Sequence, residues 1–292
     1  QGNLDGEGGS WIEAQGKRRF DLIPNFVETV KGCATHERTT LDELARLKGK
    51  ELRVGVLTNK AMNGELDLQQ VYGKRLQAIR PTRGQLKEVE ELYFQTMVPD
   101  VQETLDALKF LNKMIFIISG GLAEPVRGFG RRLGVPGEHI RAVELEYNEL
   151  SGEWWRYDQP QTQNAHLFMD YEDSPLTVSS GKPNIIRELA GTTPGRRLMV
   201  GDGSSDLATR PVVDLFVGFG GVVAREKVAK ESDAFVYSLS LAPILPLAAG
   251  AAGYQRVIGT PHQAVFDKGI DLALNGGLTF NSDELRAAFA EA

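Results

Sequence analysis

One cysteine in the whole chain, Cys33, excludes an internal disulfide and any cysteine-built zinc site. The histidines, His36, His139, His166 and His262, are scattered and share no metal-ligand spacing. Long apolar runs are missing too. The richest, LSLAPILPLAAGAAG from Leu239, falls short of the roughly 20 residues a membrane span needs and carries prolines at 243 and 246. Positive charge is nowhere concentrated: acidic and basic residues mix along a chain of net charge −6, so the basic stripe of a nucleic-acid binder is absent. No signal peptide is evident, and QGNLDGEGGS at the start reads as a polar, glycine-rich lead-in. The expectation is a soluble protein with no membrane span and no nucleic-acid partner.

What is present is ordinary globular material, 41% hydrophobic and 25% charged over 292 residues, enough for one large domain or a core with an inserted cap. FVETV (26–30) is a short strand candidate. TLDELARLKG follows with Leu41, Leu44, Ala45 and Leu47 at helical spacing, and LRVGVLT (52–58) reads as a strand on local preference. VPDVQETLDALKFLNK is a helix with Asp100 as N-cap and an apolar face through Val101, Leu105 and Leu108. MIFIISGG (114–121) is a continuous apolar run, the mark of a strand buried on both faces. RAVELEYNELSGEWWRYDQ alternates and turns at NELSGE as a hairpin. SSGKPNIIRELAG starts a helix, RRLMVGDGSSD is a buried strand running into an acidic loop, and VVDLFVGFGG and AFVYSLS complete the series. Strands alternating with helices predict a doubly wound, Rossmann-like α/β parallel sheet, with the helical residues between its first and second strands as an inserted cap. The tail ends in an amphipathic helix with Leu285, Ala288 and Phe289 on one side.

Three short motifs carry chemistry. GDGSSD, Gly201–Asp206, places two carboxylates four apart in a glycine-bracketed loop after a buried strand, where ligands bind in open α/β sheets. Asp202 is a candidate ligand for Mg²⁺, and the competing reading is a plain Asp/Gly turn. Ser119 ends a buried strand, with Gly120 and Gly121 before a helix: a hydroxyl and free N–H groups that suit a phosphate oxygen, or simply a helix N-cap. Lys182 opens a helix, where the dipole disfavours a cation, so it is either aimed at a phosphate or an exposed surface lysine.

In this order and spacing the motifs resemble the haloacid dehalogenase superfamily, and within it the phosphoserine phosphatases, over roughly residues 26–245. The resemblance implies a flexible N-terminal extension over 1–25, a core with a cap at about 42–98, and a C-terminal extension over 246–292. It implies that Ser119, Gly120 and Lys182 hold a phosphate, that Asp202 ligates Mg²⁺ and that Asp206 steadies Lys182. Arg75, in GKRL, falls where a cap arginine grips the substrate carboxylate, and 52–58 falls on a cap helix. GDGSSDLATRPVVDLFVGFG is similar to forms from cyanobacterial and plastid lineages, which points to a plastid or the cytoplasm.

One element of the family pattern is missing. Family members open with a strand and Asp-x-Asp-x-Thr, the first aspartate a nucleophile and the second a general acid/base, and then a segment like LDELARL. Counted back from that segment without gaps, the two positions are Val30 and Gly32; with one deletion, which keeps Thr35 in place, they are Lys31 and Cys33. The glutamate that reads the substrate amino group is replaced by Thr39. Asp21 lies about nine residues too early, and Asp5, with Glu7 two places on, has no strand before it. CATHER has one residue too few between cysteine and arginine for a cysteine-phosphatase loop. The loop Lys31, Gly32, Cys33, Thr35 therefore holds no intact catalytic residue. Losing nucleophile and acid/base together removes several powers of ten in rate, since acid/base catalysis alone supplies about 10²–10⁴. Lys31 is a candidate to replace the charge of Mg²⁺ beside Asp202 and Asp206. The expectation is a pseudophosphatase without cofactor, serving as a structural or binding subunit. It would meet a protein partner or larger assembly through its terminal extensions, with Trp154 or Trp155 as an anchor. The alternatives are an active Mg²⁺-dependent phosphatase and a sensor that binds a small phosphate ester without turnover.

Overall fold

The structure is a computed structural model that describes residues 26–28, 40–50, 52, 54, 56–57, 68–151, 155–156, 162–178, 180–191 and 193–290. The chain divides into two compact units, one of residues 1–32, 98–116 and 190–292, the other of 33–97 and 117–189.

The first unit is built on a largely parallel sheet. β1 (Phe26–Glu28) pairs in parallel with the start of β2 (Ile115–Leu122), Val27 opposite Ile115, and on its other side with β6 (Arg197–Gly201), Glu28 opposite Met199. β7 (Leu215–Phe219) and β8 (Ala234–Val236) continue the parallel order beyond β6. The apolar runs that predicted doubly buried strands are buried throughout in β7 and β8, and in β6 from Leu198 onward. α7 (Ser204–Leu207) follows β6, and α8 (Glu226–Glu231) precedes β8.

C-terminal residues complete this unit. α9 (Ile244–Val257), buried from Ile244 through Gly250 and again at Gly253 and Val257, packs with α10 (Gln263–Leu272) against α4 (Val101–Phe110), whose face through Val101, Leu105 and Leu108 is buried as its spacing predicts. β9 (Leu278–Phe280) joins β8 antiparallel, and α11 (Asp283–Ala290) rests on it through a Phe280–Phe289 ring contact at 5.2 Å. Asp100 corrects an expectation. It precedes α4 but adopts a left-handed conformation (φ 64°) and makes no side-chain cap. Its carboxylate instead accepts hydrogen bonds from the Ser240 hydroxyl and, at 2.8 Å, from the Lys268 ammonium.

The second unit opens with helices inserted between β1 and β2 in the chain: α1 (Thr40–Leu47), α2 (Leu68–Ile79) and α3 (Arg83–Gln95). Leu52, Val54, Val56 and Leu57 are helical, which overturns the local strand reading of 52–58 in favour of the cap helix. α3 starts with a reciprocal cap, in which the Gln85 amide donates to Thr82 Oγ1 and the Thr82 amide donates to Gln85 Oε1. Its buried Leu86 and Val89 pack toward α5 (Ala123–Arg132), where Tyr93 and Phe94 meet Phe129 edge-on.

The rest of β2 pairs in parallel with β3 (Ile140–Val143). The chain turns at Glu149–Ser151 as predicted, and β4 (Leu145–Asn148) pairs antiparallel with β5 (Leu167–Tyr171), beyond the tryptophans; most of the predicted second hairpin strand lies outside the described residues. The polar turn residues explain it. Ser151 Oγ donates back to the Asn148 carbonyl and accepts the Leu167 amide at 2.7 Å, which ties the end of β4 directly to the start of β5. α6 (Lys182–Ala190) closes the unit.

Candidate functional site

The degenerate loop, with Val30, Lys31, Gly32, Cys33, Thr35 and Thr39, lies outside the described residues, as do residues 1–25 and Trp154. Trp155 is described and is 58% exposed.

The second unit gathers three of the predicted residues around one turn. Ser119 is 3% exposed, and its Oγ accepts the Gly121 amide at 3.0 Å. The N-cap of α5 is Leu122, so the N-cap reading of Ser119 falls away. Lys182 is the first residue of α6 and is 4% exposed, which removes the surface-lysine reading; its Nζ donates to the Ile118 carbonyl at 3.0 Å. The turn Pro175–Thr177 links these positions. A Cβ on Gly120 would stand 3.2 Å from the Leu176 carbonyl, and a Cβ on Gly181 would run into the carbonyl of Pro175. The same turn packs against α2, the helix that carries buried Arg75. Two cationic side chains and a hydroxyl are thus buried within one unit.

The acidic loop belongs to the first unit. Asp206 is 1% exposed; its Oδ2 accepts the Gly203 amide at 2.9 Å, and its carbonyl accepts the Thr209 hydroxyl at 2.6 Å. Gly201 is required here, because a Cβ would collide with that of Asp206. Asp206 therefore holds the shape of its own loop, in which the Asp202 side chain is part-buried. Asp202 Oδ2 lies 3.6 Å from Nη2 of Arg225, the residue that precedes α8. Sequence reasoning missed Arg225, although the cue that singled out Lys182, a cation at a helix start, is present there as well.

The described part of this loop offers a Mg²⁺ ion one candidate carboxylate, Asp202. Mg²⁺ takes oxygen ligands, typically one or two carboxylates with waters and phosphate oxygens. Among the described residues no three His, Cys, Asp or Glu side chains are grouped to hold a metal. Residues 29–39 add a single carboxylate, Glu37, and the one well-placed carboxylate, Asp202, already faces a guanidinium.

The chain is similar to known proteins in three ways. It is 31% identical over 189 residues to mouse phosphoserine phosphatase, covering 64% of this chain and 78% of that one. It is 28% identical over 200 residues to the chloroplastic phosphoserine phosphatase of Arabidopsis thaliana, covering 68% of this chain and 63% of that one. Its fold matches a substrate-bound phosphoserine phosphatase complex with a TM-score of 0.60 at 22% identity, over 77% of this chain and 98% of that one. A model of the LemA family matches residues 9–104, less than half of the chain, and leaves Ser119, Lys182 and the 201–206 loop outside its span. Among the described residues no helix is long and apolar enough to cross a membrane.

Proposed function

This chain belongs to the phosphoserine phosphatase family of the haloacid dehalogenase superfamily, and from that premise we propose that it retains the family's ligand-holding residues but has lost phosphoryl transfer. One observation carries the reading: the residues that follow β1 contain no carboxylate at any position from 29 to 36. Glu28 pairs opposite Met199; three residues beyond Met199 is Asp202, and three beyond Glu28 in the sequence is Lys31. Covalent phosphoryl transfer needs a nucleophile in line with the leaving oxygen. Neither pairing available here, Val30 with Gly32 or Lys31 with Cys33, supplies a carboxylate. Arg225 beside Asp202 supports the rest of the reading, since it brings a fixed positive charge where the resemblance implies a metal. Lys31 would add a second.

In this reading the chain works as a binding or structural subunit without a metal cofactor, and exposed Trp155 is a candidate anchor for a protein partner. Residues 1–25 are a further candidate contact. The chloroplastic Arabidopsis relative is the support for a plastid location. The second reading, an active Mg²⁺-dependent phosphatase, draws on the burial of Ser119 and Lys182 together, which is what a working phosphate site also requires. Phosphate release from O-phospho-L-serine in the presence of Mg²⁺ separates the two: no release above the uncatalysed rate supports the first, and sustained turnover supports the second.

A further inference from the structure

We infer that the exposed face of α2 is a docking surface for an acidic segment of a protein partner. Lys74 and Arg80 receive its carboxylates, and the clefts on either side of the helix receive its apolar side chains. The surface stands apart from the loss of phosphoryl transfer and holds whether or not the chain hydrolyses a phosphate ester. Charge mixes along the chain as a whole, but not here: residues 44–87 carry ten lysines and arginines against three acidic residues, in a protein of net charge −6. α2 itself, LQQVYGKRLQAI, has no acidic residue. Lys48 Nζ donates to the Arg80 carbonyl at 2.6 Å, and Lys50 Nζ to the Ala78 carbonyl at 2.8 Å. Two ammonium groups thus gather at the C-terminal end of the helix, where its dipole favours them. Among the described residues Lys48, Lys50, Lys74 and Arg80 meet no carboxylate, whereas Arg83, Arg132, Arg141 and Arg210 each pair with one. Burial first, and then the like charges of Lys50 and Arg80, lower the Lys48 ammonium below its ordinary value.

The shape of the face fits a peptide. Lys74 and Gln77 stand three apart on α2, Arg80 follows its last turn, and all three are exposed. Gln77 forms a ridge between two clefts. One, of about 350 Å³, runs beside β5 and is lined by Gln77, Arg80, Asn148 and Leu167 through Met169. The other, of about 580 Å³, is lined by Val56, Leu57, Lys74, Gln77 and Ala78. A water takes about 30 Å³, so either cleft has room for side chains. Met169 and Val56, 59% and 56% exposed, set apolar walls on both sides of the cationic ridge. The side-chain amides of Gln77 and Asn148 both donate and accept, which matches the N–H and C=O groups of a peptide better than phosphate oxygens that only accept. Arg80 itself sits at φ 47°, in the left-handed region where glycine is free of strain and other residues are not. An arginine kept at such a position, on the lip of a cleft, points to a use for its guanidinium.

The test is fluorescence anisotropy of a labelled peptide that alternates glutamate and leucine, titrated with the full chain, beside a peptide that alternates glutamate and serine. The wild type should bind the glutamate–leucine peptide more tightly. Lys74→Glu should weaken it about tenfold, because it sets like charges together, and Arg80→Gly about fivefold. Arg80→Gly should also leave the melting temperature unchanged or raised, since it relieves the left-handed backbone. A lower melting temperature with unchanged peptide affinity overturns the inference and makes Arg80 structural. No binding of the glutamate–leucine peptide by the wild type overturns it, and so does equal binding of both peptides, which would leave only unspecific charge attraction. Binding to vesicles of phosphatidylserine and phosphatidylcholine that Lys74→Glu abolishes, without peptide binding, overturns it in favour of a lipid surface. Self-association in sedimentation velocity that Lys74→Glu abolishes overturns it in favour of a second copy of this chain. Phosphate release is measured separately, and none of these outcomes bears on it.

Discussion

The Asp206 carboxylate turns back on its own loop, its Oδ2 accepting the Gly203 amide at 2.9 Å. That bond, made at 1% exposure, is what shapes the segment from which Asp202 projects. Asp206→Ala leaves the amide without this acceptor and should lower stability by about 1–3 kcal/mol, whereas Asp206→Asn keeps an acceptor oxygen and should lose less. Urea denaturation of the two variants checks the order. Equal losses would mean that the charge of Asp206, not its hydrogen bond, supports the loop.

Asp100 combines an unusual backbone with an ion pair, and two substitutions separate them. Asp100→Asn tolerates the left-handed conformation but gives up the pairing with Lys268, half-exposed at the surface, and should cost less than about 1 kcal/mol. Asp100→Ala adds the left-handed penalty of about 1–2 kcal/mol. Thermal melts that rank Asn below wild type and Ala below Asn would agree with this assignment.

Tyr72 predicts a pH dependence. Burial, followed by the neighbouring Tyr93 and Tyr171, pushes its phenol above the usual 10.0, and Arg75 opposes the shift. A group whose folded pKa is raised contributes stability that is complete below the unfolded value and is lost as pH climbs above it, because only the unfolded chain ionises there. Stability should therefore fall as pH rises beyond about 10. In Tyr72→Phe the fall should be shallower, by chemical denaturation at pH 8 and at pH 10.5. Parallel losses in the two proteins would remove Tyr72 as the cause.

How much of this was legible in the sequence depends on where the information sits. β2, β6 and β7 could be read directly, because strands buried on both faces need unbroken apolar runs. The inner face of α4 followed from its spacing in the same way. The β4–β5 pairing was not legible, since a hydroxyl of Ser151 bridging to Leu167 leaves no periodic trace. Leu52, Val54 and Val56 carry β-branched and alternating character yet are helical, a case of tertiary context overriding local preference that only the family resemblance anticipated. At the site, Ser119 and Lys182 were identifiable by type and position, but each had a surface or capping alternative that only their burial removes. Arg225 went unnoticed because an arginine before a helix is common. Its meaning comes from a 3.6 Å approach to Asp202.

The proposed loss of the Mg²⁺ site predicts a chain that does not respond to the ion. A ligand that binds only the folded state at 100 times its dissociation constant adds about 2.7 kcal/mol of stability. Scanning calorimetry in millimolar Mg²⁺ and in EDTA should give the same melting temperature. A rise of several degrees with Mg²⁺ would show that Asp202 has partners enough for a metal.

The most direct measurement is inorganic phosphate release from O-phospho-L-serine, with Mg²⁺, by the wild-type chain beside Lys31→Asp/Cys33→Asp. The account predicts no release above the blank from the wild type and measurable release from the double variant. Turnover by the wild type at an ordinary enzymatic rate, about 1 s⁻¹ or faster, would contradict it.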